Sequence, residues 1–389
     1  MSEITLALQS TTTPSCHPNG NPHLIVYANP QRAEHDLEQS LRLGISAFTF
    51  DGEEELHKIF RAYQKYKQVQ KKSLSAIPPR QPEMIVRLLV PDEGSTVPLG
   101  EKFGAPPILH RIQQLTELAM QLQLPIIGVS FHCGSGCHDP LAYTNAIRLA
   151  KEAMDMIDSI QMAAVPTANA KKCWLLDIGG GFPGRDGWTG ECERFSGVGT
   201  ALSNTKQQPE IDETLETAAK IANVINPLLN ELLPNQGSTG GHDDTYGHSQ
   251  RQVQIISEPG RYFVEAAFTL CSRIYRTEKR QDAEGLECMH YTIAQGVQGV
   301  FKDVLLCGEE FCPVPLRLSQ PASSSSTALM PSVVHGPSGK DYDIVSKTDL
   351  PLLQVGDWLL FDRMGAYTLS ISARSGRPPI RYLLGGTTQ

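Results

Sequence analysis

The chain has 389 residues, of which 40% are hydrophobic and 20% charged, with a formal net charge of −8 and a pI near 5.8. That length buries a large core and accommodates more than one domain, and the balance of residue types is ordinary for a soluble globular protein. An acidic chain excludes nucleic acid as the main partner, because phosphate binding needs a basic face.

Residues 1–21, with MSEITLALQSTTTPSCHPNG at their start, are expected to be unstructured. They hold no basic region ahead of an apolar stretch, so no secretory signal is predicted. No run of about 18 apolar residues follows anywhere, so no membrane span is predicted. Nine cysteines without a regular framework predict reduced thiols and a cytoplasmic location.

From residue 22, short apolar runs alternate with helical patterns. Strands are predicted at Leu24–Ala28, Ser46–Phe50, Met84–Leu88, Ile126–Phe131, Cys173–Ile178 and Val253–Ser257, each a buried-type run bounded by turn residues. Ile108, Ile112, Leu115, Ala119 and Leu122 keep a helical period. So do Tyr143, Ile147, Ala150, Met154 and Ile157, behind Asp139 as N-cap and Pro140 at the first helical position. A further helix is predicted over Ile211–Leu233. Strand–helix alternation predicts a (β/α) barrel or a doubly wound sheet over residues 22–261. Six strands are counted where a closed barrel of about 250 residues has eight.

After Arg261 the pattern becomes β-rich, with runs at Tyr262–Tyr275, Met289–Ala294, Val300–Leu306, Asp357–Phe361 and Ile380–Leu384. Residues 262–389 are therefore expected to form a separate all-β domain. Tyr66–Pro82, Asn235–Gln252 and Leu318–Met330 read as exposed inserts of low complexity.

Three segments carry chemistry, and each follows a predicted strand. Leu175–Gly184, LLDIGGGFPG, places three glycines where a backbone can approach a ligand and offer N–H groups to an anion. The plain alternative is a tight turn. Val129–Pro140, VSFHCGSGCHDP, sets His132 at a strand end before small residues; Cys133 and Cys137, with no second pair, are weak as zinc ligands, and no metal is expected. Ile255–Phe263, IISEPGRYF, sets Glu258 and Arg261 across a Pro-Gly turn, where the plain alternative is a surface ion pair of little worth. Spacing alone supports a barrel enzyme with an anionic ligand on the face where barrel sites lie.

These segments, in this order, resemble the ornithine decarboxylase branch of the alanine-racemase-like (group IV) pyridoxal-phosphate enzymes, which act on ornithine, lysine, arginine or diaminopimelate. The likeness extends through YANP at Tyr27–Pro30, FDGEEEL at Phe50–Leu56 and EKFGAP at Glu101–Pro106 to LPLLQVGDWLLFDRMGAYT at Leu350–Thr368. It implies a pyridoxal 5'-phosphate barrel followed by a β domain. By the resemblance, His132 would stack on the pyridine ring, Glu258 would pair with the ring nitrogen, and Arg87 is a further active-site arginine. Ser135, Gly179, Gly180, Gly181, Gly260, Arg261 and Tyr367 would surround the phosphate. Lys102 and Asp343 would bridge the interface of a head-to-tail dimer.

The family's Schiff-base lysine lies in a motif like Y-A-V-K-C-N at the end of an early strand, and no such motif occurs in this sequence. The expectation is that the first two βα units, with that lysine, lie outside it. Two further motifs differ. Where the family has G-P-x-C-D-x-x-D, Gly336–Asp343 reads GPSGKDYD, with Gly339 for the cysteine, Lys340 for the substrate-binding aspartate and Asp341 beside them. Where the family has N-D-G-V-Y-G, Ala294–Gly299 reads AQGVQG and Gln295 replaces a second aspartate. A diamino-acid substrate needs an acidic partner for its far ammonium, since a buried unpaired charge is costly.

Decarboxylation of L-ornithine to putrescine is the first reading. The second is a non-catalytic paralogue resembling antizyme inhibitors, with antizyme as partner. The third is a decarboxylase of another amino acid, for instance an acidic one. A homodimer, or a heterodimer with an active paralogue, accommodates each of them.

Overall fold

Six short aliphatic runs pair in parallel to form one curled sheet in the computed structural model, which describes residues 25–72, 80–100, 102–164, 172–184, 213–233, 253–281, 285, 287–316, 328–372 and 377–381. The strands are β1 (Val26–Tyr27), β2 (Ala47–Phe50), β3 (Glu83–Arg87), β5 (Ile126–Ser130), β7 (Leu175–Asp177) and β8 (Gln254–Ile256), in the order β1-β2-β3-β5-β7-β8. Two further strands, β4 (Ser95–Val97) and β6 (Ser135–Cys137), form a small antiparallel pair that the sequence reading did not include. Its residues are Ser, Thr, Gly, Val and Cys, with no apolar run to mark it.

The sheet explains its own sequence. Val26, Ala47, Ile85, Ile127, Leu175 and Ile256, one from each strand, cluster together with Trp174. Phe48, Phe50, Met84 and Val86, which alternate with them along β2 and β3, are also fully buried. A strand buried on both faces reads as a continuous apolar run, which is why these runs were legible.

Between the strands lie α1 (Glu34–Arg42), α2 (Glu53–Lys72), α3 (Leu109–Gln121), α4 (Pro140–Ala164) and α5 (Glu213–Leu232). Asp139 starts α4 as expected: its Oδ1 accepts the Leu141 N–H at 2.9 Å. Tyr143, Ile147, Ala150, Met154 and Ile157 are all buried along that helix. The insert expected from Tyr66 is instead helical as far as Lys72. The segment is polar, but Lys, Gln and Tyr contain no breaker, and three glutamates open α2 against its dipole. The expected insert at Asn235–Gln252 lies wholly outside the described residues, as do residues 1–21 and most of Leu318–Met330.

The described residues divide into two compact units, one within Met1–Gly181 and Ala219–Pro259 and the other within Phe182–Ala218 and Gly260–Gln389. The second unit is mainly β. It holds β9 (Leu270–Gln281), β10 (Glu287–Ile293), β11 (Val314–Leu316), β12 (Leu329–His335), β13 (Ile344–Pro351) and β14 (Trp358–Phe361), in the order β11-β14-β9-β10-β12-β13. Only β10 and β12 pair in parallel among these. Ile274, Tyr291, Phe301, Val334, Leu359 and Phe361 form the centre of its core. Along β9, buried Leu270, Ser272 and Ile274 alternate with exposed Cys271, Arg273 and Tyr275, the mark of a sheet with one solvated face.

Two β runs predicted here are corrected. Tyr262–Tyr275 begins with a helical turn, α6 (Gly260–Val264), and a 3-10 turn at Glu265–Ala267, so strand structure starts only at Leu270. Val300–Leu306 is a turn leading into α7 (Asp303–Cys307). Short apolar runs do not by their period distinguish a strand from a helical turn. The expected α/β class with an added β domain agrees with this architecture. Cys133, Cys137, Cys173, Cys271, Cys288 and Cys307 are free thiols, but Cys312 is disulfide-bonded, so the expectation of uniformly reduced cysteines fails there.

Candidate active site

At the C-terminal edge of the parallel sheet the apolar ring gives way to a polar row. Arg87 pairs in register with Ser130, and Ser130 with Asp177, one residue from each of three adjacent strands. Parallel register partners share a face, so this row stands on the same face as Ile85, Gly128 and Leu175, which pair in register below it. Ser130 is 3% exposed and Asp177 0%. Ser130 Oγ and Asp177 Oδ2 are buried with no hydrogen-bond partner. Native proteins rarely leave buried polar atoms so.

Asp177 Oδ1 accepts the Gly179 N–H at 2.9 Å. Across the adjacent strand end, Ile178 N–H donates to Ile256 O at 2.9 Å and Glu258 N–H donates to Gly179 O at 2.8 Å. These bonds bring Glu258 alongside Asp177. Burial, then the Glu258 carboxylate, push the Asp177 carboxyl up to about 8, against the pull of the Gly179 N–H and Arg87. Burial draws the Arg87 guanidinium below its usual range, while Glu258, Asp51 and Asp177 oppose that shift.

The glycine triplet closes this cluster. Gly179 and Gly181 have φ of 64° and 99°, the left-handed region that favours glycine. A side chain at Gly180 would come within 2.7 Å of Glu258 O and 2.8 Å of His132 Nε2. The turn, Glu258 and His132 are therefore packed together, and close approach rather than a generic turn explains the middle glycine. His132 is half-buried; burial, then the Arg87 charge, lower its pKa to about 4, against a weaker pull from Asp92. Its imidazole is neutral at physiological pH, and its Nδ1 is another buried atom without a partner. Ser135 lies on β6, buried, and Cys137 N–H donates to Gly181 O at 2.7 Å. Cys133 is a buried thiol pushed up by burial, so it is not a ready nucleophile or ligand.

Arg261 and Tyr367 belong to the second unit. The Arg261 guanidinium lies 4.9 Å over the Tyr367 ring and pairs with Glu265 at 3.0 Å. Asp303 and Glu309 also face Arg261, and with Cys307 they bring their ligand atoms within 4.8 Å of one another, a cluster the sequence reading missed. Tyr367 is exposed with φ of 52°, and Gly260 has open space around its Cα.

The residues at the altered motifs also share the second unit. Gln295 is half-buried, Lys340 and Asp341 are exposed, and Gly339 has φ of 63°. His335 and His290 stack with Nε2 and Nδ1 2.8 Å apart, and His335 Nδ1 lies 3.2 Å from the Lys340 carbonyl, which accepts its hydrogen. Asp343 is buried and bonded within its own chain, whereas Lys102, in the first unit, is exposed with its ammonium 5.0 Å from the Phe103 ring.

Sequence reasoning passed over Asp177 and Ser130. The available signal was an acid inside an otherwise apolar strand immediately before the glycine triplet, since charged residues are rarely buried without purpose.

Residues 3–265 match the family described as pyridoxal-dependent decarboxylase, pyridoxal binding domain. The chain is 32% identical over 374 residues to antizyme inhibitor 2 of Xenopus laevis, an alignment covering 93% of this chain and 66% of that protein. It is 29% identical over 373 residues to ornithine decarboxylase of Cricetulus griseus, covering 93% and 67%. The solved arginine decarboxylase of Paramecium bursaria Chlorella virus matches with a TM-score of 0.67 and 26% identity, over 96% of this chain and 78% of that one. The chain thus spans about two thirds of the length of these curated relatives. By the match over residues 3–265, this chain belongs to the pyridoxal-dependent decarboxylase family.

Proposed function

We propose that the chain binds pyridoxal 5'-phosphate and serves the decarboxylation of a basic L-amino acid, with L-ornithine to putrescine as the reaction. The observation supporting this is a neutral His132 packed on a glycine turn beside Glu258, with Ser130 Oγ, His132 Nδ1 and Asp177 Oδ2 buried and unpartnered. A polar, flat, anionic cofactor fits such a set: an acid for a ring nitrogen, an uncharged ring to lie against it, and a close-approach backbone for an anion. When bound, pyridoxal phosphate supplies an electron sink for the pair left as carbon dioxide departs.

The chain's own groups then have distinct work. Glu258 holds a proton at the ring nitrogen. His132 covers the ring and, being neutral, adds no repulsion to that charge. Gly179, Gly180, Gly181 and Ser135 bind phosphate oxygens. Arg87 balances the surrounding carboxylates. Arg261, fixed between Glu265 and Tyr367, is a guanidinium suited to phosphate, and Gly260 before it leaves open space. Assembly as a dimer in the cytoplasm, through Lys102 and Asp343, completes this reading.

A second reading is a non-catalytic paralogue whose partner is antizyme. The observation favouring it is the loop at Gly339 and Lys340, where an exposed ammonium stands in place of an acid and Gln295 is neutral. Asp341, exposed beside them, is the remaining carboxyl there.

The full-length natural protein, its mass first established from its own cells, is incubated with pyridoxal phosphate and L-ornithine. Equal yields of putrescine and carbon dioxide support the first reading. Cofactor retained without turnover, together with tight binding of antizyme, replaces it with the second. Carbon dioxide from aspartate or glutamate instead means a changed substrate.

A further inference from the structure

We propose that Asp177 and Glu258 share a single proton, carried on Asp177 Oδ2 and directed at the Glu258 carboxylate, which makes Asp177 a positioning residue for Glu258. The two oxygens of Asp177 are in unlike situations. Oδ1 accepts the Gly179 N–H at 2.9 Å. Oδ2 is buried and receives no hydrogen bond, although Asp177 is completely shielded from water. A bare carboxylate oxygen there would carry the full desolvation cost of an unpartnered acceptor. The Ile178-to-Ile256 and Glu258-to-Gly179 backbone bonds hold the two chain segments side by side, and the Glu258 side chain lies within hydrogen-bonding reach of Asp177. Asp177 is buried whereas Glu258 is exposed, so of the two facing acids it is Asp177 that cannot ionise cheaply, and a proton on it converts their repulsion into a hydrogen bond.

The other groups around the pair agree. On β3, Arg87 faces both acids and is itself faced by Asp51 beyond β2. On β5, the neighbour in register is uncharged Ser130, and His132 beyond it is neutral. One guanidinium among three carboxyls leaves an excess of negative charge that a retained proton relieves. The proton occupies one Glu258 oxygen and leaves the second to pair with a cationic nitrogen. That purpose rests on the cofactor-binding reading, whereas the shared proton itself does not.

The test uses the full chain with isotope-labelled aspartate, first without cofactor. Infrared spectroscopy reads the C=O stretch of a protonated aspartate. The wild-type protein is expected to show this band at neutral pH and to lose it with a midpoint near 8. Asp177→Asn is expected to lack it. Glu258→Gln, which removes the facing charge, is expected to lower the midpoint by about one unit or more. Absence of the band at neutral pH, or its survival in Asp177→Asn, overturns the proposal. Should Asp177→Asn fail to fold, an unchanged midpoint in Glu258→Gln overturns it. Pyridoxal phosphate binding is followed separately by absorbance: the band without binding sinks the cofactor reading and leaves the pair standing, and binding without the band does the reverse.

Discussion

Asp343 fastens Val297: its Oδ1 accepts the Val297 N–H at 3.0 Å, joining two loops that lie 46 residues apart in the chain. Its Oδ2 accepts from Ser338 N–H at 3.1 Å and Ser338 Oγ–H at 2.8 Å. A side chain at Gly296 or Gly336 would overlap this carboxylate. Gly336→Ala is therefore expected to cost about 2 kcal/mol or more, through overpacking and a broken loop contact. Gly260→Ala, where an added methyl meets open space, is expected to be near neutral in the same urea titration. Equal effects of the two substitutions would show that Asp343 does not hold these loops.

A second fastening lies in the parallel-sheet unit. Arg32 is 6% exposed, pairs with Glu55 at 2.8 Å, donates to Tyr27 O at 2.9 Å and to Thr49 O, and lies 4.7 Å from the Tyr27 ring. It ties β1, β2 and α2 together. Removing Arg32 breaks the buried pair and its bonds to two carbonyls while leaving Lys58 Nζ 2.5 Å from Glu55 Oε2, so Arg32→Leu is expected to lose about 3 kcal/mol. Arg32→Leu combined with Glu55→Leu is expected to recover part of that loss. Additive losses in the double variant would mean that the charges do not depend on each other.

The six strands were legible because both faces of the sheet are buried, and α4 because Asp139, Pro140 and a long apolar stripe agree. Arg32 and Glu55 were not legible as a pair, since 23 residues separate them and only the fold brings them together. The same holds for Asp343 with Val297, and for His290 with His335. His132, Gly180 and Glu258, which the fold packs together, were legible as a group because each stands at a strand end in a recognisable motif. Asp177 was missed because its strand looked like core, and its role depends on facing Glu258. The residues of α6 and α7 were misread because an apolar run of a few residues carries no period.

The low His132 pKa has a sign that can be measured. Its folded value of about 4 lies below the ordinary 6.5. The unfolded chain takes up a proton that the folded protein refuses, so the contribution is present above pH 6.5 and is lost as pH falls toward 4. The slope from this group is about 1.4 kcal/mol per pH unit inside that window. Asp177, with its raised value, contributes the opposite slope, so the informative quantity is wild type minus variant. His132→Asn is expected to remove the acid-side loss in urea titrations from pH 4 to 7. An unchanged difference across that range would show that His132 protonates freely in the folded state.

Glu309 behaves in the other direction. Burial pushes its carboxyl up to about 8, while Arg261 pulls it down and Asp303 adds to the rise. A raised acid contributes stability that is full below its unfolded value and is lost as pH climbs through the folded one. Glu309→Gln, permanently neutral, is expected to melt higher than wild type at pH 9 and to differ little at pH 4. A variant that is less stable at pH 9 would mean that the ionised carboxylate is the form that Arg261 needs.

The loop at Gly339 and Lys340 allows the substrate question to be put to the chain directly. Gly339 has φ of 63°, and an added Cβ would meet nothing closer than Thr292 Oγ1 at 3.8 Å. A cysteine there fits sterically and costs about 1–2 kcal/mol for the left-handed backbone. Lys340 is exposed, and its backbone is held by the His335 imidazole, so its side chain can change without moving the loop. On the proposed ornithine reading, replacing that ammonium by a carboxylate would exchange repulsion of the substrate's far ammonium for attraction. Gly339→Cys with Lys340→Asp is therefore expected to raise kcat/KM for L-ornithine at least about tenfold, which is about 1.4 kcal/mol of transition-state stabilisation. On the proposed ornithine reading, Lys340→Asp alone should act mainly through KM, because it would meet the part of the substrate that does not react. If the double variant binds pyridoxal phosphate and still releases no carbon dioxide, the chain does not turn over ornithine by itself, and the antizyme-directed reading takes its place.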